Sequence, residues 1–132
     1  MTSDVISCYP NDTLDSVKDK IVNNLIHHIP VVENEKVVGI ISKSDLHRME
    51  HHFTLFENPE AEQSNIQIFS TILAKEIMAT PVICIREDEP VNAAVEVFLE
   101  NTLHALPVVN HDDHLVGIVT TFDLIRFSFA KD

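Results

Sequence analysis

Apolar positions along this chain follow two periods, and their order occurs twice. Val5, Ile6 and Cys8, and again Val82, Ile83 and Ile85, form short β-rich runs that predict strands. Leu14, Val17, Ile21 and Leu25 then recur at helical spacing, as do Val91, Ala94 and Phe98. Asp12 signals the start of the first helix, and Pro90 is expected at the first helical position of its counterpart. Strands follow through Pro30 to Val32 and Pro107 to Val109, each proline placed at the strand start, where a missing N–H is tolerated. Polar turns at Glu33 to Glu35 and Asn110 to Asp113 lead into third strands, from about Lys36 to Ser42 and from Leu115 to Thr120. A second helix is expected from near Ser44 and near Phe122.

The two passages are copies of one unit. Pro107 minus Pro30 is 77, and at that offset Ile29, Pro30, Val31 and Val32 stand over Leu106, Pro107, Val108 and Val109. Leu14, Val17 and Ile21 stand over Val91, Ala94 and Phe98. One residue enters the connecting turn, so Gly117 minus Gly39 is 78. The expected fold class is therefore α+β: two strand-helix-strand-strand-helix repeats related by an approximate two-fold axis. The first spans residues 1–56, a polar linker 57–65, and the second 66–132 with a leading helix from Ile66 to Met78. The first copy has no counterpart to that helix, so the chain reads either as a natural start or as a piece of a longer protein.

Composition narrows the function. The hydrophobic fraction of 45% supports a packed core and argues against disorder. A formal net charge of -12, with nine Lys and Arg scattered singly, repels nucleic acid and anionic membrane. No apolar run approaches the ~20 residues that span a bilayer, and the polar, acidic start lacks a signal-peptide pattern. Cys8 and Cys84 form no C-x-x-C and read as reduced, buried thiols, consistent with a cytoplasmic location. No Ser-His-Asp order, P-loop or G-x-G-x-x-G occurs, so nucleotide hydrolysis has no visible machinery, and the chain is expected to require no cofactor.

The chemistry concentrates where the third strand meets the second helix. Gly39, Ile40, Ile41, Ser42, Lys43, Ser44, Asp45 matches Gly117, Ile118, Val119, Thr120, Thr121, Phe122, Asp123, and these are the chain's two glycines. A hydroxyl ending a strand, with a carboxylate one helical turn on, is a plausible grip for a nucleoside phosphate. A carboxylate makes charge-assisted hydrogen bonds to a vicinal diol, and the helix start offers free N–H groups to an anion. Glycine within a strand marks close approach of a ligand or another backbone. The same spacing has the form of a capping box, and both roles can coexist at one residue.

Glu76 to Val82, Leu103 to Val109 with Gly117 to Asp123, and His27 to Val32 with Gly39 to Asp45 together resemble the cystathionine-β-synthase (CBS) domain family. Two tandem copies look like a CBS pair, or Bateman module, and the likeness covers almost the whole chain. The resemblance implies a non-catalytic regulatory module. Such a module binds AMP, ADP, ATP or S-adenosylmethionine, AMP foremost, in the cleft between its repeats and signals to a partner protein or attached domain. It also implies roles. Asp45 and Asp123 would bind ribose hydroxyls. Ser42 and Thr120, with His27, His28 and His104, would contact phosphate. Val5, Ile6, Thr80, Val82 and Ile83 would line the adenine slot. Histidine replaces the family's more usual arginine at His28, and its counterpart Ala105 lacks the charge.

Two other readings stand beside this one. The apolar Leu124, Ile125, Phe127 and Phe129 are expected to form a homodimer interface, and one alternative is a structural dimerisation module whose clefts stay empty. The other is a zinc site or metallopeptidase, because His47, Glu50 and His51 read H-x-x-E-H with two histidines on one helical face. Neither a third ligand nor an open coordination position accompanies that motif, and no metal is expected.

Overall fold

A computed structural model of the chain describes residues 5–54, 68–101 and 103–129. The first repeat contains α1 (Leu14–Asn23), β1 (His28–Glu33), β2 (Lys36–Ser42) and α2 (Lys43–Thr54). A short helix, α3 (Ala74–Ile77), precedes the second repeat, which contains β3 (Ile85–Arg86), α4 (Val91–Glu100), β4 (Ala105–Val109), β5 (Leu115–Thr120) and α5 (Thr121–Phe129). β1 and β2 form a two-stranded sheet, and β3, β4 and β5 a three-stranded one with β4 in the centre.

The first element of each repeat is shorter than the β-rich runs suggest. β3 covers only Ile85 and Arg86, and Val5 to Cys8 is reduced to one parallel bridge between Cys8 and Val31. The repeat is nonetheless kept in register. Cys8 faces Val31 and Ile85 faces Val108; 85 minus 8 and 108 minus 31 both give 77.

The prolines lie inside their strands, not at the starts, since β1 begins at His28 and β4 at Ala105. Hydrogen-bond direction explains the tolerance. Cys8 N donates to Pro30 O, and Val32 N to Cys8 O, so this edge of β1 faces the parallel neighbour. Glu87 N donates to Val109 O in the same sense. Each proline thus directs its missing donor at a partner strand of one or two residues, and no bond to the antiparallel neighbour is lost.

Helix starts also differ from expectation. Thr13, not Asp12, is the residue before α1, while Asp12 Oδ2 accepts from Tyr9 N at 2.8 Å. The first amide of α1, Leu14 N, donates to Ile72 O at 2.9 Å, so a backbone carbonyl meets it in place of a side-chain cap. Pro90 stands one residue before α4, which begins at Val91. The single helix expected over 66–78 is broken within its described part. Thr71 N and Oγ1 both bond Ile68 O, and Leu73 then pairs in extended form with Thr13 before α3 begins.

The described residues divide into two compact units that do not follow the repeats. One holds Ile6–Glu33 and the described part of 38–82; the other holds Val5, Asn34–Val37 and the described part of 83–132. The first unit's core is Cys8, Leu14, Val17, Ile21, Ile29, Val31, Ile41 and Leu46, with Phe69 and Ala74 from the connecting segment. Those last two are 2% and 0% exposed, so a segment expected to lead the second repeat fills the core of the first. The second unit is built on Ile85, Ala94, Leu106, Val108 and Val119, flanked by Val97, Phe98 and Leu124.

Candidate functional site

Each third strand runs into its second helix without an intervening loop: β2 ends at Ser42 and α2 starts at Lys43; β5 ends at Thr120 and α5 starts at Thr121. A reciprocal pair of bonds makes the junction. Asp45 N donates to Ser42 Oγ at 3.0 Å, and Ser42 N donates to Asp45 Oδ2 at 3.2 Å. Asp123 N donates to Thr120 Oγ1 at 3.1 Å, and Thr120 N to Asp123 Oδ2 at 3.0 Å. These are capping boxes with aspartate in the usual glutamate position. They hold one hydroxyl and one carboxylate rigidly at the positive end of a helix.

The histidine before each central strand sits at this junction. Lys43 N donates to His27 O at 2.7 Å and Thr121 N to His104 O at 3.0 Å. Both histidines are exposed and His28 is half-buried. With the first and third helical amides so engaged, the second remains: among the described residues, the amides of Ser44 and Phe122 have no hydrogen-bond partner.

The residues expected to line an adenine slot are divided. Ile6, Thr80 and Val82 belong to the unit of Ser42 and Asp45, whereas Val5 and Ile83 belong to that of Thr120 and Asp123. Within the first of these units, Ile40 and Ala79 exchange both backbone bonds, at 2.9 and 3.3 Å. The bridge is antiparallel, so the exposed Thr80 lies toward Gly39, on the other side of Ile40 from Ser42. Ile6 packs on the core, and Ile83 is 40% exposed.

Gly39 has a different role from the one expected. A Cβ there would lie 2.4 Å from Met78 Sδ and 2.9 Å from Met78 Cβ, so the close approach is by a methionine side chain. Sequence reasoning also missed the arginines three residues after each acid. Arg48 Nη2 bonds Asp45 Oδ1, whereas Arg126 lies over the Phe122 ring, 4.8 Å from its centroid. Their spacing of three from the acid was the available signal.

The H-x-x-E-H segment holds an ion-paired glutamate. Glu50 Oε1 pairs with Lys18 Nζ, and Glu50 Oε2 lies 3.9 Å from His47 Nδ1. The side chain of His51 lies outside the described residues. Among the described residues no group of three His, Cys, Asp or Glu could hold a metal ion, and no helix is long and apolar enough to cross a membrane. Cys8 and Cys84 are free thiols; burial, with Asp12 next in effect, pushes Cys8 up to about 11.

Two repeats, each with a capped hydroxyl–carboxylate pair at its last strand-helix junction, define a tandem module, and the comparison with known families agrees on the repeat. The CBS domain family matches residues 1–52 and 74–130, and the chain belongs to that family as a tandem CBS pair. The uncharacterised protein MJ1225 of Methanocaldococcus jannaschii is 28% identical over 127 residues, 96% of this chain and 45% of that protein. Its crystal structure superposes with a TM-score of 0.78 over 97% of this chain and 45% of that one. The CBS domain pair of protein MJ0100, solved in complex with 5'-methylthioadenosine and S-adenosyl-L-methionine, is 26% identical with a TM-score of 0.73. It is covered over 97% of this chain and 90% of that one. The gamma-3 subunit of pig 5'-AMP-activated protein kinase is 28% identical over 127 residues, 94% of this chain and 24% of that subunit. The chain thus spans about half the length, or less, of several curated relatives.

Proposed function

We propose that this chain is a regulatory module that binds an adenosine-containing ligand, AMP foremost, and passes occupancy to a partner protein or attached domain. The carrying observation is the doubled capping box, Ser42 with Asp45 and Thr120 with Asp123, at equivalent strand-helix junctions. Each carboxylate would take ribose hydroxyls. Each junction would meet phosphate with the hydroxyl, the open amide of Ser44 or Phe122, and His27, His28 or His104 nearby. Thr80, Val82 and Ile6 in one unit, and Val5 and Ile83 in the other, would supply apolar contact to the base. The adenosine ligands of the MJ0100 pair and the kinase gamma subunit among the relatives support this reading. The role is regulatory, not catalytic, and the working ligand is exchanged, not resident.

The test is calorimetric titration with AMP, ADP, ATP and S-adenosylmethionine. At about a hundred times its dissociation constant, a ligand of the folded state should stabilise it by ~2.7 kcal/mol. Removing a charged hydrogen-bonding partner costs ~1.5–3 kcal/mol, roughly tenfold to a hundredfold in affinity. Asp45→Asn and Asp123→Asn should each weaken binding at one half-site by that factor, and the double variant should lose nearly all ligand-induced stabilisation. No heat with any of the four at millimolar concentration refutes the reading.

A second reading is favoured by α5. Phe122, Ile125 and Phe129 are 62%, 57% and 85% exposed and stand at spacings of three and four, so they share one side of the helix, an apolar face that fits a homodimer contact; Phe127, 65% exposed, lies on another side. Dimerisation is compatible with ligand binding, and becomes the sole function if the half-sites stay empty.

A further inference from the structure

Asp45 and Asp123 are equivalent acids in equivalent boxes, and each is followed three residues later by an arginine. The arginines are used differently. Arg48 turns back along α2 and bonds Asp45 Oδ1, the oxygen that the box leaves over, since Ser42 N takes Oδ2. Arg126 lies on the ring of Phe122, 4.8 Å from its centroid, and among the described residues no cation pairs with Asp123. The sequence contains the reason. The residue four before each arginine is Ser44 in the first repeat and Phe122 in the second. Residues four apart share a helix face, and an aromatic face attracts a guanidinium where a serine offers nothing comparable.

Resting on the adenosine reading above, we propose that the two half-sites are unequal, with Phe122 and Arg48 setting their order of filling. Phe122 holds Arg126 away from Asp123, so that carboxylate is free to accept hydrogen bonds from a ribose diol. Asp45 is latched by Arg48, and a diol reaching it must first displace the guanidinium. At low concentration of an adenosine nucleotide the Asp123 half-site fills first. The Asp45 half-site fills at higher concentration and takes more of its share as salt weakens the latch.

Single-site backgrounds separate the halves: D123N leaves the first to be read and D45N the second, each titrated with AMP. In the D123N background, Arg48→Ala should tighten AMP binding about twofold to fivefold, the worth of an exposed ion pair. Ser44→Phe, which offers Arg48 a ring, should act in the same direction. In the D45N background, Phe122→Ser should release Arg126 onto Asp123 and weaken binding by a similar factor, while Arg126→Ala should not weaken it. Raising salt should shrink the effects of Arg48→Ala and Phe122→Ser. A ligand-free readout protects the test against a poorly folded variant. In nitrogen-15 spectra of wild-type protein, the side-chain protons of Arg126 should carry a ring-current shift that Phe122→Leu removes and that Arg48 lacks.

Weaker AMP binding in Arg48→Ala would make Arg48 a ligand contact and overturn the proposal. Equal affinities at the two halves, unmoved by Arg48→Ala and Phe122→Ser, would overturn it while leaving the adenosine reading intact. If wild-type protein takes up no adenosine ligand at all, both fall together.

Discussion

Single side chains decide several properties of this chain. Gly39 and Met78 form a pair in which one supplies the space the other occupies. Gly39→Ala should destabilise the fold by about 1–3 kcal/mol through overpacking, and Met78→Ala in the same chain should recover part of it. Urea unfolding of the two single variants and the double variant measures the coupling. The glycine was legible as a site of close approach, but its partner was not, because Met78 follows it by 39 positions and no local pattern joins them. Cys8 makes a pH-dependent contribution. Burial raises its thiol from the ordinary 9.0 to about 11, so the folded state holds the proton longer than the unfolded chain. The stability tied to the neutral thiol is complete below about pH 9 and is lost as pH rises toward about 11. Cys8→Ser would remove this alkaline dependence, read as the change of urea midpoint between pH 8 and pH 10.5.

At the scale of elements, the third strands were legible to the residue and the first strands were not. Lys36 to Ser42 and Leu115 to Thr120 carry β-formers on both sides of a central glycine and end at a box whose chemistry marks the boundary. Val5 to Cys8 and Val82 to Ile85 carry the same β-formers, but pairing partners reach only Cys8 on one side and Ile85 with Arg86 on the other. Strand formation there is a matter of neighbours, which propensity does not encode. The helix expected over 66–78 failed similarly: apolar spacing is blind to backbone carbonyls such as Ile72 O that are claimed by another element. The boxes themselves set the helix starts, so Thr120→Ala should cost about 0.5–2 kcal/mol in the ligand-free protein. Thr13→Ala should cost less, because Thr13 makes no cap bond to the α1 backbone. Thermal unfolding of the two variants compares them. The boxes were legible because a hydroxyl three residues before an acid at a helix start is their sequence form; the partners of the arginines beside them were not, since a spacing of three to an acid and four to a ring competes on one helix face.

On the scale of the whole molecule, charge and apolar surface act in opposite senses. A net charge of -12 opposes compaction and association, and the exposed face of α5 favours contact. Raising ionic strength from 0.01 to 0.15 M shortens the screening length from ~30 to ~8 Å, so the melting temperature and any dimer population should both rise. Ile125→Glu should shift sedimentation toward monomer at any salt concentration while leaving the fold in place, since α5 contains no buried residue. The core of the first compact unit carries a further consequence. Phe69 and Ala74, which lie after the polar linker in sequence, are part of that core. A gene carrying only residues 1–56 would therefore encode a half-finished interior that another molecule must complete. The linker, which looks like the natural place to cut, is a seam in the coding sequence alone: two polypeptides made on either side of it should be insoluble or unfolded apart and recover native circular dichroism when refolded together.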